Sequence, residues 1–144
     1  MVDLEQPIFD QQTTIRKALQ LLLDEEPSSV HLAVNGNAHQ KQSLARLAVY
    51  VAWVNGAVLP VRKNKPDRKP LDTIYLYGYE EADSFTLLRA QAEGNLLARG
   101  LTVLPPNELT PKTYREQIKK LAQNESWNYQ EYDLATLRKM GAGA

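Results

Sequence analysis

The side chains best able to perform chemistry are few in this sequence, and two histidines come first. His31 and His39 are the only imidazoles, and the chain has no cysteine. An imidazole can act as a general base or a metal ligand near neutral pH. Neither histidine has the cluster of Asp, Glu or His partners that a metal site requires. The zincin pattern, in which two histidines lie on one face of a helix, is also absent. The sequence therefore predicts no metal site, and both histidines are interpreted as surface or neighbour-satisfied side chains.

Nucleophilic and phosphate-binding motifs are equally sparse. The Gly-x-Ser-x-Gly turn of a hydrolase nucleophile is absent. The serines are therefore interpreted as caps and loop residues; they are Ser28, Ser29, Ser43, Ser84 and Ser126. A phosphate cradle needs several glycines where a strand passes into a helix. Asn35, Gly36 and Asn37 occupy such a junction with one glycine, which favours a plain turn.

Two further segments could contact a ligand. Residues 62–69 carry five positive charges and one negative charge, so they could touch phosphates in a salt-dependent manner. No aromatic residue interrupts them to stack on bases, which favours a solvated loop, and contact with nucleic acid is kept as an alternative. Tyr75, Tyr77 and Tyr79 form a row on one side of a strand. We interpret that row as a half-buried sheet face under a helix rather than a ligand platform.

The composition limits the elements that could position these residues. The chain has 144 residues, of which 43% are hydrophobic, and its 17 basic residues balance its 17 acidic ones. That content suffices for one folded domain or slightly more. With zero formal charge, no whole-molecule field draws the chain onto nucleic acid or anionic lipid. No apolar run is long enough for a bilayer span, the first residues are acidic rather than basic, and cysteine is absent. We therefore expect a cytoplasmic protein.

Hydrophobic periodicity and turn residues predict helices alternating with strands. Helices are predicted at about 13–24, 39–56, 84–103 and 111–123, and a short one after residue 133. The predicted caps are Thr13 or Thr14 for the first helix, Asp83 or Ser84 for the third, Thr110 for the fourth and Asp133 for the last. Strands are predicted at 30–34, 71–79 and 127–132, with a brief extended piece at 58–61. The helix at 39–56 is apolar nearly all round, which places it in the interior.

This alternation predicts an α/β fold with a mixed, partly parallel sheet flanked by helices. A long helix that stops before Pro105 and Pro106 suggests a connecting strut. The predicted organisation is an α/β domain at 1–82, a linker helix at 83–106 and an incomplete α-β-α segment at 107–144. The last segment is too small to close a core, so we expect a truncated chain.

One stretch has a far more specific pattern. Residues 92–101 read Ala-Glu-Gly-Asn-Leu-Leu-Ala-Arg-Gly-Leu, residues 105–111 read Pro-Pro-Asn-Glu-Leu-Thr-Pro, and residues 137–143 read Leu-Arg-Lys-Met-Gly-Ala-Gly. In this order the segments resemble the linker region of the leucine (cytosol) aminopeptidase family. The resemblance covers residues 92–144, about a third of the chain. It implies that residues 1–91 form the variable N-terminal domain of that family, which has a macro-domain-like architecture.

The resemblance also implies what the parent enzyme does. Family members remove N-terminal residues from peptides with two divalent metal ions, zinc or manganese, and assemble as homohexamers. Two ions can polarise the scissile carbonyl and activate a bridging water. The metal-binding segments of the family, Gly-Lys-Gly before an Asp and Asn-Thr-Asp-Ala-Glu-Gly-Arg, do not occur in these 144 residues. No catalytic, cofactor-binding or metal-binding residue is therefore carried over to this chain, and we expect it to be inactive alone.

The resemblance predicts a role in assembly and in access to the active site, with the parent's own catalytic domain as a partner, a peptide substrate bound elsewhere, and no membrane. Apolar side chains at 107–144 should then lack the sheet that normally covers them; they are Tyr114, Ile118, Leu121 and Trp127. One alternative is a stand-alone module that binds a nucleotide or ADP-ribose near residues 35–37. The other is nucleic-acid contact through residues 62–69.

Overall fold

The structure is a computed structural model that describes residues 2–60 and 69–142. The contacts divide the chain into two compact units, a first unit at Met1–Val103 and a second unit at Leu104–Ala144. The domain bounds inferred from the sequence remain predictions. The basic stretch lies outside the described residues except for Lys69.

The first unit alternates helices with strands in the order expected of an α/β fold. Its elements are α1 (Ile8–Leu23), β1 (Ser29–Ala33), α2 (Ala38–Gly56), β2 (Thr73–Tyr77) and α3 (Thr86–Thr102). The two strands pair in parallel, with a register that runs from Ser29 opposite Thr73 to Ala33 opposite Tyr77. The α/β class and the parallel pairing are thus confirmed, and the described part of the sheet has two strands.

Helix α1 begins earlier than predicted, at Ile8 rather than near residue 13, so Thr13 and Thr14 are not caps. Pro7 precedes the helix, and its carbonyl oxygen accepts hydrogen bonds from the backbone N–H groups of Asp10 and Gln11. Ile8 and Phe9 are largely exposed. Because these two apolar residues do not face the core, they break the apolar periodicity that marks a helix, and the first turn escaped prediction.

Helix α2 is the central element of the first unit. The side chain of Asn37 accepts from the backbone N–H of Gln40, and the Gln40 side chain accepts from the backbone N–H of Asn37, which forms a capping box. Buried residues occur on several sides of α2, which confirms the predicted interior helix; they are Ala45, Leu47, Val49, Val51, Ala52, Val54 and Gly56. The core around α2 also contains Ile15, Leu19 and Leu23 of α1.

Two glycines allow the strands and helices to approach closely. The backbone N–H of Val34 donates to the carbonyl oxygen of Tyr77, so the chain stays paired just past β1. Gly78 then adopts φ +89°, and a Cβ at this position would collide with the carbonyl oxygen of Val34. At the end of α2, a Cβ on Gly56 would meet the side chain of Leu71. Both positions therefore require glycine.

Helix α3 is entered through strained backbone. Ser84 and Phe85 have φ values of 51° and 61°, which non-glycine residues rarely adopt. The carboxylate of Asp83 accepts from the backbone N–H of Phe85, and the Phe85 ring makes an edge contact with Trp53 of α2. The helix therefore starts at Thr86 rather than at residue 84. It ends at Thr102, before the two prolines, as predicted.

The second unit contains α4 (Pro111–Asn124) and α5 (Leu134–Lys139). Thr110 caps α4 and Asp133 caps α5, and both caps are confirmed. The predicted strand at 127–132 is wrong, because no strand is formed by residues 104–142. Apolar and aromatic residues at this position favour an extended chain, but a strand also needs a neighbour to pair with, and this unit supplies none. Likewise, the described residues 58–60 form no strand.

Candidate functional site

The first unit has a concave surface, a groove whose floor is α2 and whose walls are α1 and α3. Ile8, His39 and Leu88, each near the start of its helix, line one end. Arg16, Asn55 and Arg99, each further along its helix, line the other. The three helices therefore run in roughly the same direction. We refer to this surface as the helical groove.

The first end of the groove is an apolar cavity of about 640 Å³, which is within the range of small-molecule sites. Leu47, Tyr50 and Leu88 supply much of its apolar lining. Gln11 also lines it and is buried, with its Nε2 donating to the carbonyl oxygens of Leu4 (3.1 Å) and Gln6 (2.6 Å). Gln11 thereby ties the N-terminal segment to α1.

The charge of Arg46, which lines the apolar cavity, is neutralised by an ion pair with Glu81. Nη1 of Arg46 lies 3.0 Å from Oε2 of Glu81, whose side chain is only 10% exposed. Glu81 also interacts with Tyr79. Partial burial, together with the hydrogen bond to Glu81 and its negative charge, raises the pKa of the Tyr79 hydroxyl, although a hydrogen bond from Gln42 and the charge of Arg46 oppose this. This network ties α2 to the loop after β2.

The second end of the groove is a smaller cavity of about 360 Å³, which we call the arginine cavity. It shares Gln12 and Tyr50 with the apolar cavity, so the two cavities adjoin each other. Nη1 of Arg99 donates to the carbonyl oxygen of Val54 at 2.7 Å, near the end of α2. Nδ2 of Asn55 donates to the carbonyl oxygen of Val51 at 2.8 Å. Sequence reasoning missed this cavity, because its residues come from three separate helices and form no motif.

The structure places His31 and the tyrosine row on an exposed sheet face. The His31 ring stacks on Tyr75, with 4.6 Å between ring centroids, and its Nδ1 lies 3.1 Å from the Tyr77 hydroxyl. Tyr75 and Tyr77 are 47% and 52% exposed, so the prediction that a helix half-buries them is wrong. Helix α2 packs instead against the opposite face, through Leu32 and Ile74. Tyr79 differs, because it is half-buried beside Glu81.

The structure confirms the interpretation of residues 35–37 as a plain turn, and it adds a cap that was not predicted from the sequence. Gly36 has φ +130°, and the Asn37 side chain is used to cap α2. A crevice of about 920 Å³ adjoins this turn, but Asp3 and Glu5 line it as well. Their negative charges oppose binding of a pyrophosphate. The nucleotide or ADP-ribose pocket stays a prediction that no observation favours.

His39 and the serines singled out in the sequence do not come together in one site. His39 lines both the apolar cavity and the crevice. Ser43 lies inside α2 and lines the apolar cavity, so its interpretation as a cap or loop residue is wrong. Ser29 begins β1, whereas Ser28, Ser84 and Ser126 lie in turns or bends. Within residues 2–60 and 69–142, no group of three or more His, Asp or Glu side chains is arranged to hold a metal ion.

Comparison with known proteins gives one informative match. The chain is 34% identical over 82 residues to a probable cytosol aminopeptidase of Prochlorococcus marinus. The alignment covers 56% of this chain and 16% of that protein, so the chain spans about a sixth of the relative's length. No family model and no solved structure matches the chain. No helix in the described part of the chain combines the length and apolarity needed to cross a bilayer.

Proposed function

We propose that this chain is the non-catalytic N-terminal region of a leucine-type cytosol aminopeptidase, where it serves assembly and access to the active site. The observation that carries the proposal is the similarity to the Prochlorococcus protein. Its 82 aligned residues exceed the 53 residues between 92 and 144, so the alignment extends upstream of the segment whose motifs resemble the family. The similarity and the motifs therefore point to the same family.

The exposed apolar side chains of the second unit also support a role in assembly. Trp127 and Leu134 are 61% and 63% exposed, and Tyr114 and Met140 are also exposed. Large apolar side chains that are exposed together can form a contact surface for another domain. In the proposed role, the catalytic domain of the parent covers these side chains.

The parent activity follows from the family alone. The parent would be cytoplasmic, would assemble as a homohexamer and would release N-terminal residues from peptides with two zinc or manganese ions. The described residues do not fit such a centre, because they lack a cluster of three or more ligating side chains. We therefore propose that the metals lie elsewhere in the parent.

Co-purification tests the assembly role. The chain would be co-expressed with the remainder of the Prochlorococcus aminopeptidase, with an affinity tag on the latter only. We expect the chain to co-purify and Trp127→Ser to weaken its retention severalfold, because the exposed indole would be part of the contact. Leu21→Ser is the control, since Leu21 is also an exposed apolar residue, at 74% against 61% for Trp127, but lies on α1. Equal retention of both variants, or no retention of the unsubstituted chain, would refute the assembly role.

A peptidase assay tests the non-catalytic part of the proposal. The chain alone would be supplied with leucine p-nitroanilide and either manganese or zinc. We expect hydrolysis no faster than with the metal ion alone. Hydrolysis clearly above that background, and abolished by a chelator, would show that the chain carries a reactive centre of its own.

A further inference from the structure

We propose that the arginine cavity binds the phosphate group of a small phosphate monoester with an aromatic or apolar body. Nothing in the family resemblance or in the comparison assigns a ligand to this place, and the inference does not depend on the proposed function. It rests on the two guanidinium groups of the cavity, the absence of acidic residues in its lining, and the aromatic side chains beside them.

The two arginines reach the cavity from opposite walls. Arg16 lies on α1 and Arg99 on α3, with α2 between them. The hydrogen bond from Nη1 of Arg99 to Val54 fixes one end of that guanidinium. Its other N–H groups remain for a ligand, since a guanidinium has five. Arg99 is half-buried, so a hydrogen bond that it makes to an anion is less weakened by water than one on open surface.

The charge of the cavity is not neutralised by acidic side chains. None of the residues that line it is Asp or Glu, and Arg16 has no ion-pair partner within residues 2–60 and 69–142. Arg46 at the other end of the groove offers a contrast, because Glu81 pairs with it. The end of α2 contributes roughly half a negative charge, which is small against two guanidinium groups. The balance favours a dianion.

The neutral lining residues suit a phosphate monoester better than a bare anion. Thr13 and Asn95 can donate hydrogen bonds to phosphate oxygens. Phe9 is 72% exposed and Tyr50 is half-buried, and both line the cavity, so a ring or apolar chain attached to the phosphate has apolar surface to cover. The volume of about 360 Å³ admits a small ligand.

Titration of the full chain with phenyl phosphate tests the proposal, with amide chemical shifts and calorimetry as readouts. We expect saturable binding, with shifts centred on residues 13–16, 54–55 and 95–99. Arg16→Gln should weaken binding about 10- to 100-fold, since it removes a charge-assisted contact. Lys17→Gln is the matched control, because it removes the same charge from the next residue of α1, which lines neither cavity, and we expect no change.

Further probes separate the parts of the proposal. Arg99→Lys should keep the charge but weaken binding, since lysine cannot form the two-pronged contact of a guanidinium. Benzoate should bind more weakly than phenyl phosphate, and inorganic phosphate should lack the contribution of the ring. Absence of saturable shifts would overturn the site. Equal losses in Arg16→Gln and Lys17→Gln would reduce it to nonspecific charge attraction, and equal affinity for benzoate would overturn the preference for phosphate. A circular dichroism melt of each variant checks that folding is intact.

Discussion

The two units of this chain use the same devices to start helices but differ sharply in what lies beneath those helices. In the first unit, α2 is capped by Asn37 and also buries residues on several sides. In the second unit, α4 and α5 are capped by Thr110 and Asp133, yet Ala122 is the single buried apolar residue among residues 104–142. Caps satisfy the free N–H groups of a first turn, whereas burial supplies most of the stability.

The two units therefore differ in whether their helices are supported by a hydrophobic core. The second unit has local signals for helices and a set of exposed apolar side chains, but no core of its own in the described residues. The first unit has a core that joins α1, α2 and the sheet. We therefore expect substitutions of equal size to have unequal effects in the two units.

The largest effect should come from removing core volume in the first unit. Leu19 is 4% exposed, and Leu19→Ala should lower the free energy of unfolding by about 2–5 kcal/mol through lost burial and a cavity. Leu134→Ala makes the same change at an exposed position of the second unit and should shift it by less than about 0.5 kcal/mol. Urea unfolding followed by circular dichroism measures both. A similar loss of unfolding free energy in the two variants would show that Leu134 is part of a hydrophobic core.

A smaller effect should follow from adding a methyl group where the backbone approaches closely. Gly78→Ala places a Cβ against the carbonyl oxygen of Val34 at a positive φ, so we expect a loss of about 2–3 kcal/mol. Gly94→Ala adds the same methyl group in the middle of α3 with no atom within 4 Å, and should stabilise the chain by about 0.5–1 kcal/mol. Thermal melts of the two variants should therefore move in opposite directions, and a shift in the same direction would contradict the assigned backbone.

Removing a cap from the second unit should have a local effect. Thr110→Ala deletes the acceptor for the backbone N–H of Thr113, and we expect α4 to lose about 1 kcal/mol of helix stability. Amide hydrogen exchange should accelerate in the first turns of α4, while α1 and α2 exchange as before. Equal acceleration in α2 would show that the two units unfold together.

The smallest effect concerns the cap of α5 and depends on pH. The side chain and backbone N–H of Thr136 donate to Asp133 and hold the pKa of its carboxyl below the usual value. Because the pKa is lowered by folding, the cap stabilises α5 above about pH 3.9, and this contribution is lost as the pH falls through the lower folded value. Carboxyl carbon shifts and α5 amide exchange between pH 6 and pH 2 should show this. Asp133→Asn should remove the pH dependence.

Elements with local signals could be predicted from the sequence. The parallel strands β1 and β2, the interior helix α2, and the caps Thr110 and Asp133 all follow from short patterns of residues. The failures have physical causes. The first turn of α1 carries exposed apolar residues that break the periodicity, and residues 127–132 have strand composition without a neighbouring strand.

The site could be predicted less well than the fold. The turn at 35–37 can be predicted from the sequence, because its glycine and asparagine have local roles. The prediction of a half-buried face for the tyrosine row fails, because alternation alone does not tell which face of a sheet a helix covers. Arg16 and Arg99 line the same cavity because α1 and α3 both flank α2, and no spacing in the sequence encodes that arrangement.

The two-stranded sheet has a practical consequence for handling the protein. Within the described residues, β1 and β2 pair only with each other, so each leaves an outer edge whose backbone groups can recruit strands from other molecules. The β2 sequence Thr-Ile-Tyr-Leu-Tyr has no charge, proline or glycine to discourage such stacking, and the chain has no net charge near neutrality to keep molecules apart. Concentrated stocks should therefore form fibrils least readily when stored well away from neutral pH.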